Sequence, residues 1–145
     1  IVIATQNPEE FAGADCISET LGDRFERIQI DYPTSEQEVE ILERYARKYR
    51  GVQFDEELLN RTVAISQATR SAEGIQRPAS VRASISTFEQ AQAIAQLNGR
   101  DSVSKEDVTK AALISLHGRA EVSPASEHYD RPEALFKEII DKTLE

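Results

Sequence analysis

Ser80-Val81-Arg82-Ala83-Ser84-Ile85-Ser86-Thr87-Phe88-Glu89-Gln90-Ala91-Gln92-Ala93-Ile94-Ala95-Gln96-Leu97, followed by Asn98-Gly99, decides the fold class of this chain. The stretch is rich in Ala, the best helix former, and holds neither Gly nor Pro. Asn98-Gly99 is a helix stop, so the spacing predicts one long helix over Ser80–Leu97. Downstream, Ser104-x-x-Asp107 caps a second helix that carries Val108, Ala111, Ala112 and Leu116 on one face. Pro132 opens a last amphipathic helix through Leu135, Phe136, Ile139 and Ile140, reaching Leu144. Glu121–Arg131 between them is polar and reads as a linker.

Upstream the same signals recur. Asp55 can cap a helix containing Leu58, Leu59, Val63 and Ile65. Ser35-x-x-Glu38 reads as a capping box before Val39, Leu42, Tyr45 and Ala46, with Gly51 as the stop. Arg70–Ala79 contains Gly74 and Pro78 and reads as a loop. Before Ser35 the pattern changes. Ile1-Val2-Ile3-Ala4 is a continuous apolar run of the kind found in strands buried on both faces. Gln6–Cys16 reads as a loop and Ser18–Asp23 as a short helix with Ser18 as its cap. Phe25–Ile30 reads as a second strand, ended by Asp31-Tyr32-Pro33. The expected chain is therefore mostly α: two strands of an α/β core over 1–32, a helical bundle over 33–120, and a linker with a C-terminal helix over 121–145.

Composition narrows the function classes. Hydrophobic residues at 39% and charged residues at 30% fit a globular domain. Lys+Arg 17 against Asp+Glu 26 leaves a net charge of -9. That balance argues against a nucleic-acid-binding surface, although a local basic spot facing a nucleotide remains compatible with it. The single Cys16 cannot form an intramolecular disulfide, which points to a reducing cytoplasm. No apolar run approaches the roughly 20 residues of a membrane span, and no signal peptide is visible. The chain contains no Met and starts inside an apparent buried strand, as expected for a piece of a longer protein.

Several short motifs in order carry a resemblance. Ala4-Thr5-Gln6-Asn7-Pro8, Phe11-Ala12-Gly13, an acidic residue and Leu before Asp23-Arg24-Phe25, and Asp31-Tyr32-Pro33 resemble MoxR-type AAA+ ATPases. They are also similar to the related gas-vesicle and magnesium-chelatase ATPase subunits. Ser80-Val81-Arg82-Ala83-Ser84 resembles that group's sensor 2 segment. Gly99-Arg100-Asp101-x-Val103-x-x-Glu106-Asp107-Val108 resembles its closing lid helix. The similarity covers roughly residues 1–118. It implies the end of an AAA+ core followed by a helical lid, within a hydrolase that binds ATP and Mg²⁺ in its full-length form. It further implies a cytoplasmic ring, hexameric in expectation, that acts like a chaperone. Its partner would be a client or von Willebrand A-type protein, or an enzyme receiving a metal centre.

The resemblance also assigns roles. Phosphoryl transfer needs positioning and charge stabilisation more than covalent chemistry from the protein. Asn7, whose amide can donate to phosphate and accept from water, is implied to be sensor 1; by itself it is an Asn-Pro turn at a strand end. Arg24 is implied to be an arginine finger reaching a neighbouring subunit's nucleotide, since a guanidinium offers phosphate a rigid, always-charged fork. A surface ion pair with Asp23 or Glu26 is its simpler reading. Arg82, in the first turn of the Ser80–Leu97 helix, is implied to be sensor 2, with Arg77 as a nearby alternative cation. Cys16, His117 and His128 lack partners at nucleophile or zinc spacing, Glu9 and Glu10 read as solvated loop residues, and the Glu36–Glu43 cluster reads as a solvated helix face, so no metal site is expected. No G-x-x-x-x-G-K-[ST] loop occurs anywhere, so the chain alone is expected neither to bind ATP tightly nor to hydrolyse it. In the resembling family the phosphate-loop strand lies between the two strands found here, so these are expected to lack their usual neighbour. A different class, a non-catalytic helical adaptor domain, would also suit the acidic helices and the apolar tail helix.

Overall fold

Local capping chemistry sets the starts of three helices in the computed structural model, which describes residues 1–5 and 19–145. Two compact units are present, Ile1–Asp31 and Tyr32–Glu145. The first holds one short helix, α1 (Glu19–Gly22). Ile1–Thr5 and Phe25–Ile30 carry no regular secondary structure, so the two expected parallel strands are not formed among the described residues. Ile1, Ile3, Ile28 and Ile30 are exposed. A strand is held by its ladder neighbours, and no described segment pairs with either run. The proposed Ser18 cap lies outside the described residues.

The second unit is helical. Helix α2 (Ser35–Tyr45) begins one residue earlier than its sequence signal: Thr34 is the N-cap and Gln37 completes the capping box. Thr34 Oγ1 accepts from the Gln37 N–H at 3.3 Å, and Gln37 Oε1 accepts from the Thr34 N–H at 3.0 Å. Ser35 and Glu38 are thereby released from capping. The helix ends at Tyr45 with Ala46 as its C-cap, so Gly51 does not close it. Helix α3 (Glu56–Ser71) is capped by Asp55, which accepts from the N–H groups of Glu57 and Leu58. It runs into the segment expected as a loop, which also holds strand β1 (Ile75–Arg77).

Helix α4 (Val81–Leu97) and helix α5 (Lys105–His117) form a hairpin joined through Gly99. Gly99 has φ +69°, the left-handed conformation that ends a helix at least cost without a Cβ. Ala83, Ala91 and Ala95 of α4 and Val108, Ala111, Ala112 and Leu116 of α5 are fully buried in one core. Small side chains let the two backbones approach closely, so the Ala richness reflects packing as well as propensity. Strand β2 (Glu121–Val122) lies in the stretch expected as a linker and pairs antiparallel with β1. Helix α6 (Pro132–Leu144) starts at Pro132 and buries Leu135, Phe136, Ile139, Ile140 and Leu144 in the same core. A second cluster joins Leu42 and Ala46 of the α2 end to Leu59 and Val63 of α3 and Phe88 of α4, where the Phe54 ring stacks on Phe88 at 4.7 Å.

The α5 start is tied down by charge. Asp107 accepts from Arg100 through both oxygens at 2.6 Å, and from the Ser104 N–H at 2.9 Å. The Arg100 guanidinium holds the Asp107 carboxyl below its ordinary value of 3.8, with the Ser104 bonds lowering it further against the opposing effect of burial. A depressed folded-state pKa stabilises above the unfolded value and is lost as pH falls through the folded one. Asp107→Asn is therefore expected to cost about 2 kcal/mol at pH 7. In thermal melts the gap to wild type should narrow progressively below pH 3.8. A gap independent of pH would refute this account.

Candidate functional site

The start of α4 is the best-built candidate position, because buried polar groups fix it from two sides. Ala79, fully buried, donates its N–H to Thr69 Oγ1 at 2.9 Å, and the Thr69 hydroxyl in turn donates to the Ser66 carbonyl at 2.6 Å. One turn into the helix, the Ser84 hydroxyl donates to Glu38 Oε1 at 2.5 Å. Glu38 is completely buried. Its other oxygen accepts from Arg70 Nη2 at 2.8 Å and from Gln67 Nε2 at 3.3 Å. The Arg70 guanidinium lies 4.2 Å from the centre of the Tyr32 ring, a cation–π contact. So the helix face expected to be solvated contains the buried anchor that joins α2, α3 and α4.

Arg82 stands between these two anchors, exposed in the first turn of α4. Ser80 occupies the N-cap position but makes no side-chain cap hydrogen bond, and no acidic residue lies in the first turn. An anion at this end would therefore meet helix N–H groups, the positive end of the helix dipole and a guanidinium together. Arg77, the alternative cation, is instead paired with Glu121 across the β1–β2 ladder. Arg24 is exposed in the turn after α1, in the first unit. Asn7 lies outside the described residues, as do Cys16, Glu9 and Glu10.

His117 packs edge-on against Phe136, with ring centres 6.0 Å apart. A surface hollow of about 390 Å³ is lined by His117, Glu121, Tyr129 and Phe136 among others, and Arg82 does not border it. Among the described residues no group of three or more His, Cys, Asp or Glu could hold a metal ion. No helix among them is long and apolar enough to cross a membrane.

Sequence reasoning missed Glu38 and Arg70. A signal existed: Glu38 lies four residues before Leu42 and eight before Ala46, which puts it on the apolar stripe of α2 rather than opposite it.

Comparison with known proteins agrees with this architecture. The chain is 28% identical over 162 aligned residues to the uncharacterized protein YeaC of Bacillus subtilis (strain 168), covering 96% of this chain and 51% of that relative. It thus spans about half the length of the curated relative it matches. No solved structure matches it. Residues 67–139, from the last turns of α3 to within α6, match the AAA lid domain. That region is half of the chain, includes the α4 start and Arg82, and establishes that the chain belongs to the AAA lid domain family and forms part of an AAA+ protein.

Proposed function

We propose that the chain is the C-terminal part of a MoxR-type AAA+ ATPase, a ring of six subunits in which ATP hydrolysis drives remodelling or assembly of a partner protein. The AAA lid match over 67–139 carries this reading. The motif order Asn7, Arg24, Arg82 supports the MoxR type. A partner with a von Willebrand A-type domain, or an enzyme receiving a metal centre, suits that type. In this reading Asn7 positions the attacking water, Arg24 reaches the nucleotide of the neighbouring subunit, and Arg82 senses phosphate from the lid.

The described residues fit one part of a nucleotide site. Arg82 and the α4 N-terminus are suited to phosphate oxygens. They do not fit Mg²⁺, since no carboxylate cluster is present among them. The metal and the β- and γ-phosphates would be held by other residues of the parent protein, which makes the chain alone inactive.

The test is steady-state ATP hydrolysis by the full-length protein with Mg²⁺, alongside the 145-residue chain as a silent control. Arg82→Ala should lower kcat by about 10²-fold, the loss typical of one charge-stabilising donor. Wild-type rates in that variant would remove Arg82 from the site. No hydrolysis by the wild-type full-length protein, with or without partners, would favour the adaptor reading instead.

A further inference from the structure

Arg44-Tyr45-Ala46-Arg47-Lys48-Tyr49-Arg50 concentrates four cations and no anion in seven residues of a chain whose net charge is -9. Arg44, Tyr45, Arg47, Lys48 and Arg50 are all exposed. Cations are favoured at a helix C-terminus, which accounts for Arg44 and Arg47 around the end of α2. It does not account for Lys48 and Arg50, which lie beyond the helix, or for Tyr45, which is 73% exposed.

Hydrogen bonds from α4 anchor the segment. Gln92 of α4, 1% exposed, uses both ends of its amide on this loop: Oε1 accepts from the Tyr49 N–H at 3.0 Å and Nε2 donates to the Arg47 carbonyl at 3.2 Å. Glu89 Oε1 accepts from the Arg47 N–H at 2.8 Å. Gly51, at φ +78°, then turns the chain away. A buried amide thus fixes the backbone from which Arg47, Lys48 and Arg50 project. Among the described residues these three side chains form no ion pair, whereas Arg44 pairs with Glu40 at 2.6 Å.

We propose that residues 44–50 form a docking surface for a short acidic segment of a partner protein. Charge complementarity selects the occupant: a run of exposed guanidinium and ammonium groups beside an exposed tyrosine matches Asp and Glu side chains flanking one apolar residue. Tyr and Arg are also the side chains most often dominant at protein interfaces. Nucleic acid fits less well. Its binding rests on neutralising a long row of phosphates, whereas the basic run here spans only residues 44–50, enough for a short segment. The neighbouring anions limit the site: Glu40 and Glu89 are engaged with the segment itself, and exposed Glu43 borders it. The proposal rests on this surface of the second unit alone and is independent of the ATPase reading.

Fluorescence anisotropy of the full chain tests it, using a labelled peptide of about fifteen residues rich in Asp and Glu with a central Phe, and labelled U12 RNA as the competing probe. The peptide should bind at about 50 mM NaCl and lose at least tenfold in affinity at about 500 mM, where surface charges are screened. R47E/K48E/R50E should reduce its affinity by at least tenfold, and Tyr45→Ala by several-fold with the charge unchanged. If charge reversal unfolds the chain, R47Q/K48Q/R50Q, checked by circular dichroism, carries the same comparison. Undiminished binding by the charge variants, no peptide binding at low salt, or tighter binding of U12 than of peptide would each overturn the proposal.

Discussion

Arg24→Ala in the full-length protein is expected to cut ATP hydrolysis by about 10³–10⁵-fold, the acceleration attributed to an arginine supplied in trans. The transferred phosphoryl group gathers charge on its equatorial oxygens, and a guanidinium placed there stabilises the transition state more than the ground state. Because Arg24 is exposed and lies two residues past the end of α1, the side chain has room to reach a neighbour. ATP affinity should change far less than kcat, since an arginine in that role acts on developing charge. Mixing resolves the trans assignment. Arg24→Ala subunits combined with subunits whose phosphate-loop lysine is replaced should recover part of the activity, because each kind supplies the group the other lacks. Full activity in Arg24→Ala would leave Arg24 as a surface ion-pair residue. Loss without recovery on mixing would argue for action within one subunit.

The second large effect concerns stability. Glu38→Ala should destabilise the chain by about 3–5 kcal/mol, the cost of removing one partner from a buried ion pair. The loss would leave the Arg70 guanidinium without its counter-charge and the Ser84 hydroxyl without its acceptor. Arg70 has little other compensation: its side chain is 15% exposed, and its buried Nε has no hydrogen-bond partner among the described residues. Glu38→Gln keeps the volume and part of the hydrogen bonding, so it should cost less. A double-mutant cycle with Arg70→Ala, read by urea unfolding, should show coupling of about 1–3 kcal/mol. A cost below about 1 kcal/mol for Glu38→Ala would mean that water replaces the carboxylate. The same anchor holds the start of α4, so Glu38 variants that remain folded should also weaken any phosphate contact made by Arg82.

Neither effect could be ranked from the sequence in the same way. The role given to Arg24 rests on motif order, with Asp23-Arg24-Phe25 following Asn7-Pro8. The role of Glu38 appears only when Arg70, 32 residues away, and Ser84, 46 residues away, converge on it. Read locally, Glu38 looked like the N3 partner of Ser35 in a capping box. The actual box uses Thr34 and Gln37, and one residue of register turned a solvated carboxylate into the buried one.

The sequence by itself determined the helical class, the caps at Asp55 and Ser104, the stop at Asn98-Gly99 and the start at Pro132. These depend on interactions within about four residues, so they are written in short stretches of chain. Only the tertiary structure decided the β1–β2 pairing, the burial of Glu38 and the clamping of the basic loop by Gln92. Each joins residues distant in the chain, such as Glu38 with Arg70 32 positions away, and no periodicity encodes which distant partner will close the contact. The apolar runs Ile1–Ala4 and Phe25–Ile30 make the same point in reverse. Their composition favours strands, but a strand forms only where a neighbour supplies its hydrogen bonds, and none among the described residues does.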